Sequence, residues 1–236
     1  MAEETIRLNK FIAQRLSIGR RAADALISRG KVRVNGSLPI LGGRVEPGDE
    51  VIVDGTRLVF DSAPNFLYVL FNKPVGYICS RRQQGETQTI YSILPAEYQH
   101  LKPVGRLDKD SSGLLLLTND GDLAHHMLHP SFAKIKQYEV ALNEPLAPLH
   151  RQMISDHGIN LADGPSKLQL ERLKDNDHEW LVIMHEGRNR QIRRTFDALG
   201  YTVTRLNRIQ FGPLDMHMLE GKRLREISKD VLGNVV

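Results

Sequence analysis

Gly105-Arg106-Leu107-Asp108-Lys109-Asp110-Ser111-Ser112-Gly113-Leu114-Leu115-Leu116-Leu117 sets a polar, glycine-bounded loop directly against an unbroken apolar run. The run reads as a strand buried on both faces. It is stopped by Thr118-Asn119-Asp120-Gly121, after which Asp122 is placed to cap a helix carrying Leu123, Met127 and Leu128. Upstream, Phe66 to Phe71 reads as another buried strand, ending at Lys73-Pro74-Val75-Gly76. Downstream come alternating Leu168 and Leu170, the apolar run Trp180 to Met184, a helix near Gln191 to Leu199 closed by Gly200, and a strand at Thr202 to Leu206. Strands outnumber helices, which argues an α+β fold built on a mixed, largely antiparallel sheet.

The chain before this region has a different pattern. Leu8, Phe11, Ile12 and Leu16 fall at helical spacing, and after Ser17 a second set follows with Ala22, Ala23, Leu26 and Ile27, so two short helices pack face to face. Gly30 stops the second helix, Lys31 to Val34 reads as a strand closing on an Asn35-Gly36 turn, and short strands are expected around Val45 and at Val51 to Val53. Between Arg7 and Arg44 there are nine basic residues against one acid, Asp24. Such clustering is an electrostatic footprint for a polyanion, with a solvated basic face as the plain alternative. The stretches Arg7 to Ile12, Arg20 to Ala23, Gly30 to Gly36 and Pro47-Gly48-Asp49 resemble the S-four-type RNA-binding module, named after a small-subunit ribosomal protein. The resemblance implies a small αL-type RNA-binding domain over residues 1–60. A linker is expected at Asp61 to Asn65 and a second domain over residues 66–236.

Composition narrows the function classes. A chain of 236 residues with 41% hydrophobic and 25% charged residues can bury a real core and is not of disordered type. Cys79 is the single cysteine, so an intramolecular disulfide and a thiolate cluster are excluded, which suits a reducing compartment and makes the cytoplasm the expected location. Met1 to Arg7 is polar and acidic, and no apolar run approaches the ~20 residues a membrane helix needs, so no membrane partner is expected. The formal charge is +4. Nothing suggests an obligate interface, and a monomer is the default.

The loop at Gly105 to Gly113 offers two carboxylates, two hydroxyls and, with Lys102 included, three cationic side chains. Such a set could bind a ligand, act in catalysis or simply cap a turn, and residue types alone leave these open, with turn capping slightly ahead. The ordered series Lys73-Pro74-Val75-Gly76, Arg106-Leu107-Asp108, Lys136-Gln137-Tyr138, Glu186 to Arg194 and Leu206-Asn207-Arg208-Ile209 resembles the RsuA family of ribosomal RNA pseudouridine synthases over essentially the whole chain. The resemblance implies a cofactor-free isomerase that converts uridine to pseudouridine in ribosomal RNA. The variant Lys109-Asp110-Ser111 of the loop leans towards large-subunit over small-subunit RNA.

By the same resemblance Asp108 is the nucleophile, attacking either ribose C1′ or uracil C6, a choice the sequence leaves open. Burial would disfavour its charge, so a guanidinium is needed beside it, and Arg193 takes that place. Tyr138 would stack on the target base, where a strand tyrosine taken alone is more often core. Arg106 would fill the space a flipped nucleotide leaves, or else contact a phosphate. The remaining RNA contacts are expected from Arg7, Lys10, Arg20, Arg21, Lys31 and Arg33 in the basic module, and from Lys136, Arg188 and Arg190 further on. Helical geometry prevents Arg188, Arg190, Arg193 and Arg194 from all reaching one site, so some should meet phosphates. Asp110 is expected to order the loop.

Other readings are weaker. His125 and His129 form an i, i+4 pair, but no third ligand of suitable type is nearby, so no metal is expected. Cys79 reads as a small core residue. A non-catalytic RNA-binding or ribosome-assembly protein would explain the basic module alone. A glycoside hydrolase would use Asp108 and Asp110 as carboxylates ~5 to 9.5 Å apart but would leave the basic segments without purpose.

Overall fold

Leu8, Phe11 and Ile12 recur at the spacing of one helical face, and in the computed structural model of the protein all three are buried. The structure describes residues 5–16, 18–60, 65–129, 134–175 and 177–233. The chain divides into two units, Met1–Phe66 and Leu67–Val236. The expected linker at Asp61 to Asn65, apart from Asn65, and Ser17 lie outside the described residues.

In the first unit β1 (Ile6–Arg7) leads into α1 (Leu8–Arg15) and α2 (Arg20–Ser28), followed by β2 (Val32–Val34), β3 (Arg44–Val45), β4 (Val51–Val53) and β5 (Thr56–Leu58). β1 pairs antiparallel with β3, while β2, β4 and β5 form an antiparallel sheet in that order. Phe11, Ile12, Ala23, Ile27, Val32, Val45, Val51 and Val53 close a core of their own. Asn35 and Gly36, both with positive φ, make the turn after β2, and Asn35 also clamps Glu50 and Asp49 through its side chain.

The second unit contains β6 (Tyr68–Lys73), β7 (Lys102–Pro103), β8 (Ser112–Thr118), α3 (Gly121–Leu128), β9 (Lys136–Leu142), α4 (Pro148–Gln152), β10 (Ile159–Leu161), β11 (Gly164–Ser166), β12 (Gln169–Arg172), β13 (Glu179–Met184), α5 (Gln191–Asp197), β14 (Val203–Phe211), β15 (Leu214–Asp215) and β16 (Leu224–Glu226). Its main sheet runs β12-β13-β9-β14-β8-β6-β16, with β15 on β14 and β7 on β8. Among the named strands of the described residues only β14 and β8 pair in parallel, so the sheet is mixed and largely antiparallel and the fold is α+β. β8 sits inside the sheet, with Leu114 to Leu117 fully buried, which is why this apolar run does not alternate.

Three boundaries differ from the sequence expectation. Asp120, not Asp122, caps α3: its carboxylate accepts from the backbone N–H groups of Asp122 at 3.1 Å and Leu123 at 3.0 Å, and also takes the Tyr68 hydroxyl at 2.8 Å. The strand placed at Phe66 begins at Tyr68 and continues to Lys73. β14 extends past Leu206 to Phe211, because Asn207 and Arg208 pair with β8 on one side and β9 on the other, and two ladders outweigh the polar side chains.

Candidate functional site

A lysine at the end of an apolar strand would normally turn to water, yet Lys73 at the close of β6 is completely buried. Its Nζ donates to the carbonyls of Pro74 at 3.0 Å, Asp108 at 2.9 Å and Ser111 at 2.7 Å, which uses all three ammonium hydrogens. Burial pushes the lysine pKa down, partly offset by Cys79, Asp108 and Asp110. The Gly76 N–H adds a bond to the Lys109 carbonyl at 2.7 Å, and Ser111 N–H closes a turn on the Asp108 carbonyl at 3.1 Å. The segment Lys73 to Gly76 therefore holds the Asp108 loop through its backbone and does not engage its side chains.

Of the two carboxylates, Asp108 is the less committed. Its Oδ2 lies 3.6 Å from Arg190 Nη1, and its side chain is 34% exposed. Asp110 takes a bidentate pair from Arg190, 3.0 Å on each oxygen, and has Arg193 Nε at 3.2 Å. Arg193 also donates to the carbonyls of Asp110 at 2.8 Å and Val203 at 2.7 Å. The guanidinium in ion-pair range of Asp108 is thus that of Arg190, and Arg193, to which sequence reasoning gave that place, reaches the loop one step away through Asp110. The reason is backbone geometry. Arg190 caps α5 with φ 48° and ψ 32°, a left-handed conformation that turns it off the helix and back towards the loop.

The four arginines divide in two. Arg190 and Arg193 meet at Asp110, whereas Arg188 and Arg194 both pair with Asp163 in the β10–β11 turn, at 3.0 Å and 2.8 Å. Arg188 is further occupied by the carbonyls of Gly164 and Pro165 and by Glu186, so its guanidinium braces the hairpin instead of standing free for a phosphate.

Burial alone would raise the Asp110 pKa, but the Arg190 hydrogen bond and the charges of Arg193 and Arg190 hold it below the usual aspartate range. A depressed carboxyl contributes stability above its ordinary value of 3.8, and that contribution is lost as the pH falls through its own lower value. Asp110→Asn is expected to lower stability at neutral pH by no more than ~1 kcal/mol, given the exposure of the pair. The difference from wild type should shrink in thermal melts as the pH falls below 3.8. Loosening of the loop is expected to slow catalysis by roughly 10-fold to 100-fold, measured as kcat.

Above the loop is a cavity of about 300 Å³ lined by Arg106, Asp108, Ser111, Lys136, Tyr138, Arg190 and Arg208 among others, which is at the small end of ligand pockets. Tyr138 is 8% exposed, packs with Leu107, Val182, Met184 and Ile192, and lies directly across the β9–β14 ladder from Arg208. Lys136 donates to the carbonyls of Lys134 and His185. Arg106 is exposed and forms no hydrogen bond or ion pair among the described residues. Cys79 is half-buried against the loop, its thiol donating to the Leu107 carbonyl at 3.4 Å, and burial pushes its pKa up.

In the first unit Lys31 is paired with Asp54 at 2.9 Å, and Arg7 and Arg33 fold back onto the carbonyls of Gly42 and Gly36. Arg20 and Arg21 remain exposed at the start of α2, and Lys10 sits half-buried on α1. Sequence reasoning placed no role on Lys73, Asp163 or Arg208. The signal for Lys73 was its place at the end of a buried strand; nothing local marks Asp163.

Residues 67–198 match the family model for RNA pseudouridylate synthase. The chain is 36% identical to the ribosomal large subunit pseudouridine synthase B of Bacillus subtilis, over 94% of this chain and 92% of that protein. It is 36% identical to the protein of the same name from Xylella fastidiosa, over 92% of this chain and 48% of that protein. The dual-specificity RNA pseudouridine synthase RluF of Escherichia coli is 32% identical over 98% of this chain and 79% of its own length. The chain spans about half the length of several of these curated relatives, 42% to 55% in the Xylella, Pseudomonas and Xanthomonas proteins. A crystal structure of a pseudouridylate synthase superposes with a TM-score of 0.67 at 28% identity, covering 98% of this chain and all of the other.

Proposed function

The chain belongs to the RNA pseudouridylate synthase family, and from that premise we propose that it isomerises uridine to pseudouridine in ribosomal RNA, without a cofactor, through Asp108. The observation that carries the reading is a loop carboxylate held from its backbone by Lys73, set 3.6 Å from Arg190 and facing a base-sized cavity that Tyr138 also lines. A carboxylate so placed is a nucleophile in waiting, with a guanidinium beside it but no close bidentate pair to consume it. Tyr138 offers a ring against the target base, reached once the nucleotide leaves its stack. Arg190 orients Asp108, and Arg193 keeps the Asp110 side of the loop in place. Arg106, exposed at the rim, serves the RNA strand.

Large-subunit RNA is the favoured substrate over small-subunit RNA, supported by the names of the relatives from Bacillus subtilis and Xylella fastidiosa. Among the described residues no helix is long and apolar enough to cross a membrane. A cytoplasmic monomer suits the single cysteine and the RNA substrate. The experiment is to incubate the purified protein with unmodified large- and small-subunit ribosomal RNA transcripts and map pseudouridines at nucleotide resolution. Modification of a large-subunit site is the expected result. Binding without any new pseudouridine would favour a ribosome-assembly factor instead.

The first unit, read as an S-four-type module, holds the RNA through Arg20, Arg21 and Lys10. Because its core is its own, removing residues 1–66 is expected to leave the second unit folded and to weaken RNA binding. The log-log salt slope should become shallower by about 0.7 for each single-strand phosphate no longer neutralised, read from affinities at several salt concentrations.

A further inference from the structure

Arg208 is 3% exposed. Its Nε donates to the Leu114 carbonyl at 2.8 Å, and its guanidinium lies 4.8 Å from the Phe211 ring centroid. Its Nη2 is buried with no hydrogen-bond partner, and no carboxylate forms an ion pair with it among the described residues. A buried guanidinium left uncompensated is costly, and one that lines a cavity is kept where a ligand brings the missing acceptor. Register says which part of the ligand. Arg208 and Tyr138 are direct partners across an antiparallel ladder, so their side chains leave the same face of the sheet with Cβ atoms about 4.5 to 5.5 Å apart. A base stacked on Tyr138 presents its edge to Arg208. Lys136, two residues along the same strand face, adds a second positive charge, with burial and the Arg208 charge lowering its pKa.

Isomerisation puts negative charge on that edge. The N1–C1′ bond breaks, the C5–C1′ bond forms, and a proton leaves C5 while another joins N1, so no electrons are exchanged with any other reactant. If Asp108 attacks C1′, the uracil departs with the N1–C1′ electron pair and spreads the charge over N1, O2 and O4, and the Asp108–C1′ bond breaks again as C5 bonds to C1′. If it attacks C6, the ring becomes an enolate with charge on O4, and the Asp108–C6 bond breaks again once C5 has joined C1′. O4 is common to both routes. We infer that Arg208 is a catalytic residue, donating a hydrogen bond to O4 of the target uracil while the base is anionic. A phosphate is the poorer fit, since Arg208 is buried in the cavity lining, whereas Arg106 in the same lining is exposed to solvent, where a strand backbone would run.

The inference rests on the proposed isomerisation and deepens it. Its test compares wild type with Arg208→Gln, which keeps a neutral donor for the Leu114 carbonyl, and Arg208→Lys, which keeps the charge. Melting temperature, RNA affinity and kcat on large-subunit transcripts are measured for each. Arg208→Gln is expected to melt close to wild type, bind RNA within about 3-fold, and lose about 100-fold or more in kcat, as removal of one donor to a developing anion does. Arg208→Lys is expected to recover at least about 10-fold of that loss. Near wild-type kcat in Arg208→Gln would overturn the inference and leave Arg208 a support for Leu114. A loss confined to affinity, with a shallower salt slope, would overturn it in favour of a phosphate ligand. Wild type forming no pseudouridine would instead remove the reading beneath it, and the inference with it.

Discussion

Asp108→Asn is expected to bind ribosomal RNA as wild type does and to lose pseudouridine formation by roughly 10⁴-fold or more, as removal of a covalent nucleophile does. The substitution keeps shape and size while removing the charge and nucleophilicity of the carboxylate. The fold should be indifferent to it, because the loop is held through the Asp108 carbonyl by Lys73 and not through its side chain. Arg190 keeps its bidentate partner in Asp110, so no guanidinium is stranded. Thermal melting within ~0.5 kcal/mol of wild type, unchanged affinity and no product would separate chemistry from binding. Asp110→Asn, two residues along the loop, should lose only about 10-fold to 100-fold where Asp108→Asn loses roughly 10⁴-fold or more, and this contrast assigns the two carboxylates their different tasks.

Gly113→Ala is expected to be the most damaging conservative change in the second unit. Gly113 has φ +110°, and a Cβ there would lie 2.2 Å from the carbonyl oxygen and 2.5 Å from the nitrogen of Arg208. Both atoms are backbone of β14, paired with β8 at this point, so they cannot turn aside as a side chain would. Accommodating the methyl means parting the parallel ladder where it meets the Asp108 loop. A loss of more than ~4 kcal/mol is expected, in the range reserved for overpacking combined with backbone strain. Melting should fall by roughly 10 °C or more. Gly76→Ala is the control: its φ is +95° but nothing lies within 4 Å of the added Cβ, so only backbone strain of about 1–2 kcal/mol applies. Equal effects of the two substitutions would contradict the close approach at Gly113.

Much of this arrangement was legible in the sequence. The apolar run Leu114 to Leu117 announces an inner strand because four consecutive leucines can only be covered on both faces. The loop before it announces a site because polar residues are bounded by glycines there. The missing parts depend on partners far away in the chain. Lys73 stands in a stretch that resembles the family, but its task shows only when the carbonyls of Asp108 and Ser111 arrive to satisfy it. Arg193 and Arg190 are hard to rank from helical spacing, since the left-handed backbone at Arg190 breaks the periodicity on which the ranking depends. Arg188 and Arg194 resemble phosphate ligands until Asp163 is brought against them. Arg208 falls in a stretch that resembles the family but lies past the expected strand end at Leu206, and only its register opposite Tyr138 and beside Gly113 brings it into the cavity lining. The Asp122 cap failed for a more local reason, because Asp120 offers the same carboxylate two residues earlier and is anchored by Tyr68.

The most direct measurement uses large-subunit ribosomal RNA transcribed with tritium at C5 of uridine. Moving C1′ from N1 to C5 expels the C5 hydrogen, so release of label to water counts turnovers. Wild type is expected to release label in a fixed stoichiometry that plateaus at the number of modified sites, and Asp108→Asn to release none above background. Release by Asp108→Asn at the wild-type rate would contradict a nucleophilic Asp108.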